Sequence, residues 1–183
     1  EDGRQHPNPS SEGVGLASAL RAATSRLAAI TDTPRLDAEL LLAHALGITR
    51  ERLLIDPPAH VPAEFEGLLQ RRLAHEPLAY ITGTRDFWTI SLAVGPGVLI
   101  PRPDSETLIE AALEHFAGRG TPRTILDLGT GPGTLLLAAL SEFEQAQGLG
   151  IDASTQALDY ALRNAAALGL ADRARFSLGD WAS

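Results

Sequence analysis

The sequence contains no cysteine, no methionine and no lysine. Without thiols, disulfides and thiolate metal sites are excluded. The five histidines (His6, His44, His60, His75 and His115) follow no ligand spacing, so no metal is expected. With lysine absent, all 15 basic residues are Arg, and 23 acids give a formal net charge of −8. Such a chain is a poor electrostatic partner for nucleic acid in general. A local patch touching RNA-bound machinery stays compatible with it. Long apolar runs are missing too. The stretch Leu135–Leu140 is far too short to cross a bilayer, and no membrane partner is expected. The opening "EDGRQHPNPSSEG" is polar and carries no apolar signal core, so residues 1–13 read as a disordered leader. Lacking an initiator Met, the chain is expected to have been cut or processed, and the cytoplasm is its default compartment.

What is present divides into two styles. Residues 14–82 read as helices only. Leu16, Leu20, Ala23, Leu27 and Ile30 recur at steps of three and four, which makes one apolar stripe. Thr33-Pro34 offers an N-cap and a first-turn proline, and Gly47 a C-terminal stop. A short helix fits Arg50–Ile55 after Thr49. Pro62 opens another through Phe65, Leu68, Leu69 and Leu73, and Pro77 ends or restarts it. This small bundle shows no catalytic constellation; it is either structural or a docking unit for a protein partner.

Residues 83–103 alternate. Trp88, Ile90, Leu92 and Val94 are expected on one face, Phe87, Thr89 and Ser91 on the other, with a turn at Gly95-Pro96-Gly97 and a second strand at "VLI". That reads as a β-hairpin linker ending in a Pro-Arg-Pro turn. From Asp104, which with Ser105 is a candidate cap, strands and helices alternate. This is the grammar of a parallel, doubly wound α/β sheet. Ligands on such sheets sit at the carboxyl ends of the strands, where Asp127, Asp152 and Asp180 fall.

The turn "ILDLGTGPGT" carries the chemistry. The dinucleotide pattern is G-x-G-x-x-G, with pyrophosphate on a helix N-terminus. Here Gly129, Gly131 and Gly133 are spaced G-x-G-x-G, and Thr134 replaces the third glycine of that pattern. Pro132 removes an N–H that would cradle phosphate, and Asp127 would repel it. These departures suit S-adenosylmethionine, which has a cationic head and no phosphate. Asp127 would attract its ammonium, while Gly129 and Gly131 admit close backbone approach. Asp152 follows Gly133 by 19 residues and is placed to accept from ribose hydroxyls; it is equally a helix N-cap in "DAST". Asp180 would accept from the adenine amine and Trp181 would face the ring; taken alone, Trp181 is more often a core residue than a ligand platform.

The segment "GTRDFWTISLAVGPGVLIPRPDSETLIE" (83–110), with "ILDLGTGPG" and "GDW", resembles the HemK/PrmC-type protein-glutamine methyltransferases. The resemblance covers residues 14–183 and implies a helical N-terminal domain, a β-hairpin, and a Rossmann-like class I methyltransferase domain of which residues 104–183 are the N-terminal part. It implies transfer of a methyl group from S-adenosyl-L-methionine to the glutamine of the Gly-Gly-Gln motif of peptide chain release factors, leaving S-adenosyl-L-homocysteine. By it, Asp127, Leu128, Gly129, Thr130, Gly131 and Gly133, with Asp152, Asp180 and Trp181, are cofactor contacts. Phe87, Arg102, Pro103 and Glu106 lie near the cofactor and the entering glutamine. Two prolines stiffen the turn around Arg102, which is able to pin a carboxylate or carbonyls; the turn is equally a rigid linker. Glu106 is a first-turn helix acid or orients Arg102.

The family's Asn-Pro-Pro-Tyr motif is absent from the sequence, so no catalytic residue is assigned. The chain therefore reads as an incomplete, cofactor-half fragment, expected to bind cofactor weakly and not to turn over. Two rival readings stay open: an amino-methyltransferase acting on nucleic acid, and a non-enzymatic binding module built on an incomplete sheet.

Overall fold

The computed structural model describes residues 10–180, which fall into two compact units meeting at Thr82 and Gly83. The expected leader lies outside the described residues up to position 9; α1 begins at Ser10.

The first unit is all helical: α1 (Ser10–Leu27), α2 (Pro34–Leu46), α3 (Arg50–Ile55), α4 (Glu64–Leu73) and α5 (Leu78–Thr82). The apolar stripe of α1 is buried at Leu16, Leu20, Ala23 and Leu27, against Leu41 and Leu42 of α2 and Phe65 and Leu69 of α4. Gly47 ends α2 in the left-handed region, its N–H reaching Ala43 and His44 carbonyls. Thr49 caps α3 by accepting from the Arg52 N–H at 3.2 Å. Thr33 does not cap α2. Its hydroxyl donates to Asp37 Oδ1 at 3.0 Å, because a buried carboxylate is the stronger acceptor.

Two buried acids on α2 tie the bundle together. Asp37 accepts from Arg72 Nε of α4 at 2.8 Å, and Glu39 accepts from Arg50 of α3 at 2.8 Å and from Arg35. For Glu39, burial opposes ionisation, but the two guanidiniums outweigh it and hold the carboxyl below the usual range.

The second unit opens with an antiparallel hairpin, β1 (Thr84–Phe87) and β2 (Ile90–Ala93). Its turn is Trp88-Thr89, not Gly95-Pro96-Gly97, and residues 98–100 are not a strand. Phe87 pairs directly with Ile90, so both face the core, contrary to the simple alternation. Trp88 sits at φ +55, a rare conformation for a bulky residue. Two carboxylates hold it: Glu106 accepts its backbone N–H at 2.9 Å and Glu142 its indole N–H at 2.6 Å. The Gly95–Gly97 bend instead seats on a helix farther along. A Cβ at Gly95 would strike the Tyr160 hydroxyl, and one at Gly97 the Gln156 amide.

A 3-10 turn (Pro103–Ser105) leads into α6 (Glu106–Phe116). Neither Asp104 nor Ser105 caps that helix through its side chain; Thr107 Oγ1 donates to the Asp104 carbonyl instead. Then come β3 (Thr124–Leu128), α7 (Thr134–Glu142), β4 (Gln147–Asp152), α8 (Thr155–Ala167) and β5 (Ala174–Leu178). The strands form a parallel sheet ordered β3-β4-β5. α7 is almost wholly apolar and is buried from Leu136 to Leu140. Its C-terminal end is closed by Arg173, whose guanidinium donates to the Leu140 carbonyl at 2.7 Å and to the Phe143 and Ala146 carbonyls at 3.1 Å. Gly148 faces α7 so closely that a Cβ would meet Leu136 at 2.7 Å. The sheet's other face, with Leu126, Leu128 and Leu149, is exposed, so among the described residues the sheet is covered on one side rather than doubly wound.

The Glu39 cluster yields a test. A depressed carboxyl pKa contributes stability in full above the unfolded value of about 4.3 and loses it as pH falls through the lower folded value. Glu39→Gln is expected to destabilise the helical unit by about 1–3 kcal/mol at neutral pH and to flatten this acid dependence. Helical circular-dichroism melts between pH 3 and 7, on the order of the carboxylate range, check both. Parallel slopes in wild type and variant would contradict the assignment.

Candidate functional site

The site is built at the carboxyl end of β3, where the chain passes through 129–133 into α7. Gly129, Gly131 and Gly133 have φ of +75, +57 and +85, a region that side-chain-bearing residues rarely adopt. At Gly133 the space is also closed, since a Cβ would lie 2.9 Å from Leu137 Cδ1 and 3.4 Å from Ala161 Cβ.

The backbone donors of this loop are all engaged. Gly129 and Thr130 N–H groups donate to the Ile151 carbonyl at 2.8 and 3.0 Å, and Gly133 N–H to the Thr130 carbonyl at 2.9 Å. Gly131 N–H donates to Asp152 Oδ2 at 2.8 Å. Pro132 has no N–H to give. The amide of Leu136, in the first turn of α7, points to the Asp127 carboxylate, which also accepts from Thr130 Oγ1 at 2.8 Å. Thus the protein's own acids occupy the helix N-terminus and the loop amide that an anion would seek.

Burial pushes the Asp127 carboxyl above the ordinary aspartate range. The Asp152 charge adds to this, while the hydrogen bonds from Thr130 and the Leu136 amide pull the other way. Asp152 spends its second oxygen on the Ser154 N–H at 2.9 Å, and Ser154, not Asp152, is the cap of α8, accepting from Ala157 N at 3.2 Å.

A cavity of about 150 Å³ opens beside the loop. Asp127, Gly129, Thr130, Gly131, Pro132, Thr134 and Leu135 form one wall; Leu99, Pro101, Arg102 and Ser105 form the other. It therefore brings one carboxylate and one guanidinium to a single small space. Arg102 is exposed and makes no ion pair among the described residues.

The remaining candidates lie elsewhere. Phe87 is 2% exposed and packs in the core with Ile90 and Leu92. Glu106 serves the Trp88 turn rather than Arg102. Pro103 and Leu128 do not line the cavity; Leu128 is on the open face of the sheet. Gly133 contacts the helices behind the loop. Asp180 is exposed two residues beyond β5, and Trp181 lies outside the described residues. Leu99, Ser105, Thr134 and Leu135 are lining residues that sequence reasoning does not single out. They enter the lining because the 98–105 segment runs beside the loop, a neighbourhood that has no sequence periodicity.

Among the described residues there is no cluster of potential metal ligands, and no helix is long and apolar enough to cross a membrane.

Residues 18–83 match the family model described as the PrmC N-terminal domain, and residues 122–183 the one described as a methyltransferase domain. A release factor glutamine methyltransferase of Rhodospirillum rubrum is 47% identical over 156 residues, 83% of this chain and 47% of the relative. One from Caulobacter vibrioides is 43% identical over 171 residues, 91% of this chain and 59% of the relative. The chain thus spans about half the length of these relatives. Among solved structures, a SAM-dependent methyltransferase from Geobacter sulfurreducens in complex with S-adenosyl-L-homocysteine is 36% identical, covering 43% of this chain and 30% of that one, with a TM-score of 0.36. The chain thus matches a PrmC N-terminal domain followed by a methyltransferase domain, and over most of its length it is similar to release factor glutamine methyltransferases.

Proposed function

We propose that this protein takes part in S-adenosyl-L-methionine-dependent methylation of the Gly-Gly-Gln glutamine of peptide chain release factors, and that residues 83–183 supply the cofactor's amino-acid site. The observation that carries the cofactor reading is the pairing of Asp127 and Arg102 across one cavity whose loop amides are already engaged. The likeness to release factor glutamine methyltransferases supports the substrate. A cytoplasmic location, beside that substrate, is part of the same proposal.

The residues fit the group. A cavity of about 150 Å³ suits an amino-acid head better than a whole nucleoside. Asp127 faces the ammonium, and an adjacent cation favours its charged form. Arg102 takes the carboxylate as a fork donor. Gly129 and Gly131 keep the loop free of Cβ atoms. Asp152, already holding Gly131 N–H and Ser154 N–H, retains lone pairs for ribose hydroxyls. Asp180 follows the next strand, β5, and is assigned to the adenine side. Bound there, the cofactor supplies an electrophilic methyl on sulfonium. This chain's part is to fix that donor and shed water from it, and such positioning is worth roughly 7–11 kcal/mol of barrier when geometry is held. Leu99, Pro101 and Leu135 give the cavity its apolar sides.

Two outcomes test this reading. Asp127→Asn should weaken cofactor binding about tenfold or more, about 1.4 kcal/mol per tenfold, by isothermal calorimetry. The same change should raise the melting temperature of the ligand-free protein at neutral pH. The reason is the sign of the shift: the folded state holds the Asp127 proton to higher pH than the unfolded state, so the carboxylate costs stability above its folded pKa. Unchanged affinity would contradict the role. For the substrate, deleting the gene that encodes this chain should leave the Gly-Gly-Gln glutamine unmethylated when the cell's release factors are analysed by mass spectrometry. A methyl group retained there would refute the proposal.

A further inference from the structure

The loop at 129–133 is held from behind by a residue in none of the motifs above. Asn164 lies toward the C-terminal end of α8 and is 2% exposed. Its Oδ1 accepts from the Ala93 N–H of β2 at 2.7 Å. Its Nδ2 donates to the Ala93 carbonyl at 3.1 Å and to the Pro132 carbonyl at 2.9 Å. Both amide protons and the amide oxygen are thus used, and the orientation of the side chain is fixed by the network. An asparagine in a helix interior is neither a good helix former nor cheap to bury, so these three bonds are what offset its placement.

The position of the third bond matters most. Pro132 has no N–H, so neighbouring backbone cannot anchor this point of the loop through a donor. Its carbonyl is the remaining handle, and Asn164 holds it. On the other side Asp152 holds Gly131 N–H. The two residues grip adjacent loop positions from two different elements, the end of β4 and the C-terminal part of α8. Pro132 and Gly131 both line the cavity beside Asp127.

We propose that Asn164 is a positioning residue that sets the cofactor loop against the hairpin, so that β2, α8 and the loop move as one body and the cavity is formed before ligand arrives. Preorganisation of this kind shows as affinity, because a loop that must be ordered on binding draws on the binding energy. The inference rests on the cofactor reading of the cavity, and it concerns a residue that does not touch the ligand.

Two variants and a control separate this role from mere stability. Asn164→Asp keeps an acceptor for the Ala93 N–H but turns an oxygen toward the Pro132 and Ala93 carbonyls, deleting the donor. Asn164→Leu removes all three bonds at similar volume. Gln156→Ala removes another tie between α8 and the preceding chain, the 2.7 Å bond from Gln156 Nε2 to the Pro96 carbonyl, without touching the loop.

Binding of S-adenosyl-L-homocysteine is measured by calorimetry well below each variant's melting temperature, with amide exchange at Gly131 and Gly133 read by NMR. Asn164→Asp and Asn164→Leu should bind about tenfold or more weakly, with faster exchange at both glycines. Gln156→Ala should lower the melting temperature yet bind and exchange as wild type. Wild-type affinity and exchange in Asn164→Asp would overturn the proposal. So would affinity losses that track melting temperature alike in all three variants. Should Asn164→Leu fail to fold, Asn164→Asp decides. If wild type itself does not bind, the cofactor reading falls, and the exchange rates alone decide whether Asn164 holds the loop.

Discussion

The site depends on how the protein spends its own hydrogen-bond donors. A glycine-rich strand-to-helix turn ordinarily presents free amides and a positive helix end to an anion. Here the Ile151 carbonyl takes two of those amides, Asp152 takes the one at Gly131, and Asp127 faces the amide of Leu136. What remains is a cavity with a half-buried carboxylate on one wall and, on the other, a guanidinium that makes no ion pair among the described residues. Such a space is built for a zwitterion. Little is left in it for a diphosphate.

The second unit is arranged around that requirement. Three left-handed glycines let the loop double back so that its amides meet β4, and Gly133 also makes room for Leu137 and Ala161. α7, apolar on nearly every side, is buried beneath the loop and cannot shift without opening the core. The hairpin is locked from two directions, at its turn by Glu106 and Glu142 and at its far strand by Asn164. The helical unit uses a different device, buried acids of α2 satisfied by arginines from the following helices. With no lysine in the chain, every such partner is a guanidinium, the cation whose fork geometry suits a buried carboxylate.

Much of this was legible in the amino-acid sequence because it is local. The stripe of α1, the stop at Gly47, the short helix after Thr49, and the strand-turn-helix around Gly129–Gly133 are all written in residues a few positions apart. What escaped is non-local or violates propensity. Trp88 is a poor turn residue, and its left-handed conformation is sustained by carboxylates 18 and 54 positions away, whereas local turn chemistry points to Gly95-Pro96-Gly97. A turn at Trp88-Thr89 pairs Phe87 with Ile90 and brings both to the core, which simple alternation does not predict. Asn164 meets Ala93 across 71 positions, and no periodicity announces it. Asp152 was open between cap and ligand; its oxygens go to Gly131 and Ser154, which spacing alone could not resolve.

The most direct measurement is a pair of calorimetric titrations of the same folded sample, one with S-adenosyl-L-methionine and one with NADH. Engaged loop amides and an acid-lined cavity predict saturable binding of the sulfonium compound and no detectable heat from the dinucleotide. Tight binding of NADH that competes with S-adenosyl-L-methionine would contradict the account at its base.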